Sequence, residues 1–246
     1  MEKLTSIITV RTQSSRLQNK CLLNFGEHKV IEHIIKRCKD FNLNPILATT
    51  KSKSDDILCQ IAEKYKIPFH RGSEKNKLLR WFTCCQEFSL KSFTTVDADD
   101  LFFCGEEVRR SFDFLHKRNL DMVLPYKSAS SGSGMVGFSI KEDLIKSAIN
   151  KIPEDTDTEM AWTFLSDIPN RKYKEMNPPN KYEVSGRLTL DYWEDYIFLE
   201  SLRILLKKDF SRKNIFKVIS RNPDLCKINS FRNVEWKQNQ IAKYKT

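Results

Sequence analysis

No run of 18 or more apolar residues occurs in the 246 residues, so nothing in the sequence has the length of a membrane-spanning helix. A charged and then apolar leader ending in small residues is also missing, which sets aside a signal peptide and makes the cytoplasm the expected compartment. The seven cysteines are odd in number, include no Cys-x-x-Cys pair and have no histidine at ligand spacing, which argues against a disulfide framework and a structural zinc site. Cys84 and Cys85 are adjacent but fall on a helical pattern. None of His28, His33, His70 and His116 stands in a motif with Ser or Cys that would mark a covalent nucleophile. Basic tracts of five or six residues are missing too. The net charge is +10 and the pI near 9.2, yet the cations are dispersed among acids that bring the charged fraction to 30%. Nucleic acid is therefore a disfavoured partner, and a nucleotide or an acidic small molecule explains part of the charge.

What is present is enough apolar material for one sizeable core: 40% hydrophobic residues, including 16 Phe, point to a single domain over 1–246. Strand and helix patterns alternate. Apolar runs at 7–10, 45–50, 67–70 and 92–96 read as strands, and the stretches 29–41, 54–65 and 76–88 read as amphipathic helices. Ser54 is a plausible N-cap with Asp55 and Asp56 in the first turn. This order predicts an α/β fold, Rossmann-like, with a mostly parallel sheet flanked by helices. From Asp121 the pattern changes. A strand at 121–125 precedes a Ser- and Gly-rich loop at 127–134, expected to be mobile, then a strand at 135–140 and a helix at 141–150. Thr156 or Thr158 can cap a further helix. After Ser211 a helix and a polar, Lys- and Asn-rich segment with little chemistry follow.

Three stretches carry chemistry. At 7–20 a buried β-branched strand turns abruptly into a loop with three cations, Arg11, Arg16 and Lys20, and the hydroxyls of Ser14 and Ser15. Open α/β sheets place ligands at the carboxyl ends of their strands, so these cations can converge on an anion; the alternative is a solvated basic loop. At 92–100 a strand runs into Asp97-Ala98-Asp99-Asp100. Carboxylates so crowded repel one another, and a hard divalent cation such as magnesium would offset them, unless they only cap the helix that starts near Gly105. At 185–196 an apolar stretch, read as a strand, delivers Asp191, with Glu194 and Asp195 in the first turn of a long helix.

Arg-x-x-Ser-x-Arg-Leu-x-x-Lys from Arg11 resembles the nucleotide-binding loop of the cytidylyltransferases that make CMP-activated sugar acids, with the spore-coat-polysaccharide type proteins as the closest look-alikes. The same order of motifs extends over roughly residues 5 to 205. Val96-Asp97-Ala98-Asp99-Asp100 looks like that family's metal-binding strand end, and Arg187-Leu188-Thr189-Leu190-Asp191 with Glu194-Asp195 looks like its late motif. Gln18-Asn19 replaces the usual Pro-Gly, Leu101 a usual Pro, and Trp193 another Pro. The resemblance implies a fold of the nucleotide-diphospho-sugar transferase type. It also implies nucleotide binding by Arg11, Ser14, Arg16, Lys20 and Asp97, catalytic roles for Arg16, Lys20 and Asp99, and magnesium on Asp99 and Asp191 with Asp100 in support. Glu159 and Trp162 would face the acceptor, the part of the chain near 125–185 would cover the substrate or form a dimer contact, and a homodimer is expected. The implied reaction transfers CMP from CTP to an acidic sugar or related acceptor, releasing pyrophosphate, for surface polysaccharide synthesis. Two alternatives stay open: a nucleotide-sugar glycosyltransferase using Asp97-Ala98-Asp99 as its metal site, and a non-catalytic nucleotide- or RNA-binding relative.

Overall fold

The alternating pattern becomes a seven-stranded sheet. In the structure, a computed structural model that describes residues 3–125, 137–176 and 185–243, the chain runs β1 (Ser6–Thr9), a short hairpin of β2 (Asn24–Phe25) and β3 (His28–Lys29), α1 (Val30–Asp40), β4 (Pro45–Thr50), α2 (Asp56–Lys64), β5 (Phe69–Gly72), α3 (Lys77–Phe88) and β6 (Ser92–Asp97). It continues with α4 (Gly105–Lys117), β7 (Met122–Leu124), β8 (Ser139–Lys141), α5 (Glu142–Ile149), α6 (Ala161–Ser166), β9 (Tyr173–Glu175), α7 (Trp193–Leu206), α8 (Arg212–Arg221) and α9 (Arg232–Lys243). The strand order is β5-β4-β1-β6-β8-β7-β9. β5, β4, β1 and β6 are parallel, and β8 runs antiparallel to both its neighbours. The expected mostly parallel α/β architecture is the one observed.

Successive residues of a strand point to opposite faces, so β1 feeds two cores. Ile8 joins Ile31, Ile34, Leu47, Leu58, Val96 and Val108 under α1, α2 and α4. Ile7 joins Ile46, Trp81, Phe93, Ile140 and Leu144 under α3 and α5. A third cluster, with Phe25, Leu101, Leu188, Leu190, Phe198 and Ile215, fastens α7 and α8 to the hairpin and to the chain leaving β6. All seven cysteines are free and buried. Among the described residues no helix is long and apolar enough to cross a membrane.

Several local expectations are corrected. Ser54 does not cap a helix; a 3-10 turn at Lys53–Asp55 precedes α2, and Asp55 folds inward. Thr158 caps a different helix from the one expected: its hydroxyl accepts from the Leu78 N–H and donates to Asn76, whose own side chain accepts from Leu79 at the start of α3. Asp97, Asp99 and Asp100 do not cap α4, whose N-cap is Cys104. Residues 187–190 form no strand; Leu188 and Leu190 are buried by the third cluster, and the Leu190 N–H reaches the Asp99 carbonyl at 2.9 Å. The third strand lies at 69–72 instead of 67–70. The Ser- and Gly-rich loop at 127–134 lies outside the described residues, as does the start of the strand expected at 135–140, which is seen as Ser139–Lys141.

One buried group sets an acid limit on the fold. His33 on α1 lies 2.9 Å from the Leu101 carbonyl, so its Nε2 donates. Burial lowers its pKa to about 4 from 6.5. A folded-state value below the unfolded one means that stability is complete above 6.5 and is lost as the pH falls towards 4. Urea midpoints measured against pH should show a decline of up to about 3 kcal/mol across that window. His33→Gln, which keeps a donor for Leu101, should flatten it; an unchanged slope would contradict the assignment.

Candidate active site

Thr9 at the end of β1 pairs with Asp97 at the end of β6, so the chains leaving these two strands border one cleft. It encloses about 300 Å³. The loop after β1 is pinned at its start by Asp55, whose carboxylate accepts from the Thr12 N–H at 2.8 Å and the Thr12 hydroxyl at 2.7 Å, and from the hydroxyls of Thr49 and Thr50. Burial opposes that carboxylate's charge, but these donors win and hold it below its ordinary pKa. The loop closes with the Asn19 N–H on the Thr12 carbonyl at 3.0 Å. Asn19 is left-handed at φ 54°, a conformation that Gly and Asn accept readily, so it can stand where the resemblance has Gly.

Two of the loop's three cations meet the two distant acids. Arg16 Nη2 donates to Asp191 Oδ1 at 2.6 Å. Lys20 Nζ donates to Asp99 Oδ2 at 2.7 Å, to the Leu190 carbonyl at 2.8 Å and to Asp191 Oδ1 at 3.1 Å. Burial works against the Lys20 ammonium, but Asp99 and Asp191 raise its pKa above the usual lysine range. Asp191 is held below the carboxylate range by Lys20 and Arg16 in spite of burial. Asp99 and Asp100 go the other way: burial and mutual repulsion raise both, Asp100 strongly. Around Asp99 and Asp100 further positive charge would therefore be stabilised.

The remaining sequence-predicted residues divide. Ser14 lines the cleft. Arg11 does not join Arg16 and Lys20; it turns to Glu159 at 2.9 Å and to the Glu74 carbonyl. Asp97 pairs with Lys77 at 3.3 Å, so the Asp97 and Asp99 carboxylates engage different cations instead of one shared site. Glu159 lines the cleft, but Trp162 does not: α6 lays its apolar side on the core, Trp162 packs there, and Met160 takes the place at the cleft wall.

Sequence reading missed the opposite wall. Lys75, Lys77 and Arg80 follow β5, the third parallel strand, and so come to the same sheet edge as the first loop. Cations just after a strand were the available signal. Arg80 is 3% exposed and donates to the Ser73 and Glu74 carbonyls. Among the described residues it has no carboxylate partner, and its Nε has no acceptor. Burial and the nearby Arg11 lower its pKa to about 10. Trp236 of α9, from the segment read as chemically poor, also borders the cleft.

Could these residues hold magnesium? Among the described residues no group of three or more His, Cys, Asp or Glu is arranged to hold a metal. Asp99 Oδ2 and Asp191 Oδ1 nevertheless converge on a single cation, the Lys20 ammonium. One or two carboxylates, completed by substrate phosphates and water, is the donor set magnesium commonly takes, so the pair fits that ion.

The model of a family described as cytidylyltransferase matches residues 5–213. The spore coat polysaccharide biosynthesis protein SpsF of Bacillus subtilis is 24% identical over 91% of this chain and 97% of its own. The uncharacterized protein MJ1063 of Methanocaldococcus jannaschii is 27% identical over 93% and 95%. Among solved structures, a cytidylyltransferase from Leptospira borgpetersenii superposes with a TM-score of 0.82 at 22% identity, covering 92% of this chain and 97% of that one. A CMP:2-keto-3-deoxy-manno-octonic acid synthetase complexed with CTP superposes at 0.61 with 12% identity, covering 83% and 98%. At these identities the structural likenesses establish the fold, which is of the nucleotide-diphospho-sugar transferase type.

Proposed function

The chain belongs to the cytidylyltransferase family, and from that premise we propose that it transfers CMP from CTP to an acidic sugar or related acceptor, releasing pyrophosphate. The observation that carries this reading is the meeting of Arg16 and Lys20 from the first loop with Asp99 and Asp191 in one cleft. Arg16 and Lys20 bind the β- and γ-phosphates, and Arg11 and Ser14 lie beside the α-phosphate. For Arg11 this means leaving Glu159, an exposed pair of the kind that costs little to break. The acceptor hydroxyl oxygen attacks the α-phosphorus; its bond to phosphorus forms as the bond to pyrophosphate breaks, and its proton passes to solvent. Arg16 and Lys20 stabilise the charge that develops on the leaving group, so the chain contributes positioning and electrostatics. Asp99 and Asp191 would hold magnesium, which when bound supplies Lewis-acid stabilisation of phosphate charge. Arg80, a buried cation with no carboxylate partner among the described residues, favours an acceptor that carries an acid group. We further propose that the protein acts in the cytoplasm as a homodimer in surface polysaccharide or glycoconjugate synthesis.

Pyrophosphate release should be measured with CTP, UTP, ATP and GTP against sialic-acid-like, Kdo-like and phosphonate acceptors and a neutral sugar. Release with CTP and one acidic class is expected. Release only with another nucleotide, or only with the neutral sugar, would overturn the reading. Arg80→Met keeps the aliphatic stem that packs on Gly72 and deletes an uncompensated buried charge. Its melting temperature should equal or exceed the parent's, while KM for the anionic acceptor rises about tenfold, the loss of roughly one charge-assisted contact. A melting temperature well below the parent's, or an unchanged KM, would contradict this role.

A further inference from the structure

The family match ends at residue 213, yet side chains from beyond it are tied through one arginine to the carboxylate at the centre of the cleft. The link is Arg187, which is 0% exposed. Its Nη2 donates to Asp191 Oδ2 at 3.0 Å, its Nε to Asp195 Oδ1 at 3.0 Å and its Nη1 to Asn233 Oδ1 at 3.2 Å. Asn229, also 0% exposed, accepts from the Arg187 N–H at 3.1 Å and donates to the Arg187 carbonyl at 2.9 Å and to Asp195 Oδ1 at 3.0 Å. Asp195 Oδ2 in turn accepts the backbone N–H groups of Asp191 and Tyr192. The guanidinium lies near the rings of Tyr192, at 5.5 Å, and Trp236, at 5.6 Å.

The two oxygens of Asp191 are therefore divided: Oδ2 is taken by Arg187, and Oδ1 is left to Arg16 and Lys20. A carboxylate torsion is broad and roughly two-fold, so an unheld Asp191 would spread over several orientations. We infer that Asn229 and Asn233 are positioning residues for the transfer reaction, which fix Arg187 and through it the oxygen that Asp191 presents to the cleft. This rests on the nucleotidyl-transfer reading above. The segment after residue 213 is then part of the active site, and Trp236 closes the brace on the ring side of Arg187.

Asn233→Ala removes the acceptor for Arg187 and a long donation to the Ser185 carbonyl at a half-buried position, so the fold should survive; Asn229→Ala is the stronger variant. Three readouts apply: the Arg187 Nε–H signal in nitrogen-resolved NMR, the dissociation constant for CTP measured with EDTA and no turnover, and kcat against KM. In Asn233→Ala the Arg187 signal should shift or broaden and kcat should fall about tenfold, the scale of a small misplacement of a reacting group. The CTP dissociation constant and KM should stay within about threefold, because the loss falls on the reacting geometry and not on uniform binding. An unchanged Arg187 signal removes the brace, whatever the enzyme does. A changed signal with unchanged kcat, or kcat and CTP affinity lost together, refutes the positioning role. A wild-type chain inactive with every nucleotide would instead refute the proposed function, and the NMR signal would still decide whether the brace exists.

Discussion

Lys20→Met is expected to slow pyrophosphate release by on the order of 100-fold or more, the scale seen when a charge-stabilising donor is removed from an active site. The side chain has nearly the same length, so the loop can keep its path; what disappears is the ammonium that stands between Asp99 and Asp191. In the free protein Asp191 then keeps Arg16 and Arg187, but Asp99 has lost its cation and faces Asp191, so Asp99 favours taking up a proton. The variant should therefore melt below the parent at neutral pH, with a gap that narrows as acid protonates the carboxylates. A near-normal rate in a folded variant would exclude the role given to Lys20.

Asp191→Asn is the second large effect, and it should strike activity and stability together. Arg16, Lys20 and Arg187 all use this carboxylate, which is 5% exposed. Removing one partner of a buried ionic network typically costs about 3–5 kcal/mol, since the opposing charges stay buried. The pKa of Asp191 lies below its ordinary 3.8, so its contribution is present above that value and is lost as the pH falls through the lower folded one. The stability gap between parent and variant should thus be widest at neutral pH and close in strong acid. Turnover should drop on the order of 100-fold or more. A variant that unfolds no more easily in urea, or that keeps its rate, would contradict the geometry at the centre of the cleft.

The features legible in the sequence were those fixed by local pattern. Pro45–Thr50 emerges as read, and the helix read over 76–88 forms as Lys77–Phe88. Arg16, Lys20 and Asp99 were visible because an apolar run breaking into charge marks the carboxyl end of a parallel strand, where ligands bind. Asp191 was found by its motif, although the run before it forms no strand: an apolar run reports burial, and here Leu188 and Leu190 are buried by a helix instead of a ladder. The misses are long-range partnerships. Asp55 could cap locally but is drawn to Thr12, and Thr158 serves a helix that begins 81 positions earlier by virtue of its contact with Asn76. Arg11 has the same residue type and loop as Arg16 and points elsewhere because Glu159 packs near it. β9 is exposed at all three positions and β2 and β3 are two residues each, so none carries a periodic signal. Trp236 and the asparagines beside it look like ordinary polar helix until the fold brings them to Arg187.

The most direct test of the account is to follow label from CTP carrying phosphorus-32 at the α-position, with magnesium and an acidic sugar acceptor. The label should appear in the acceptor product while pyrophosphate is released unlabelled, and Lys20→Met should lose both together. Label that stays with the nucleotide, with sugar transferred instead from an added nucleotide-sugar, would contradict nucleotidyl transfer and point to the glycosyltransferase chemistry that Asp97-Ala98-Asp99 also allows.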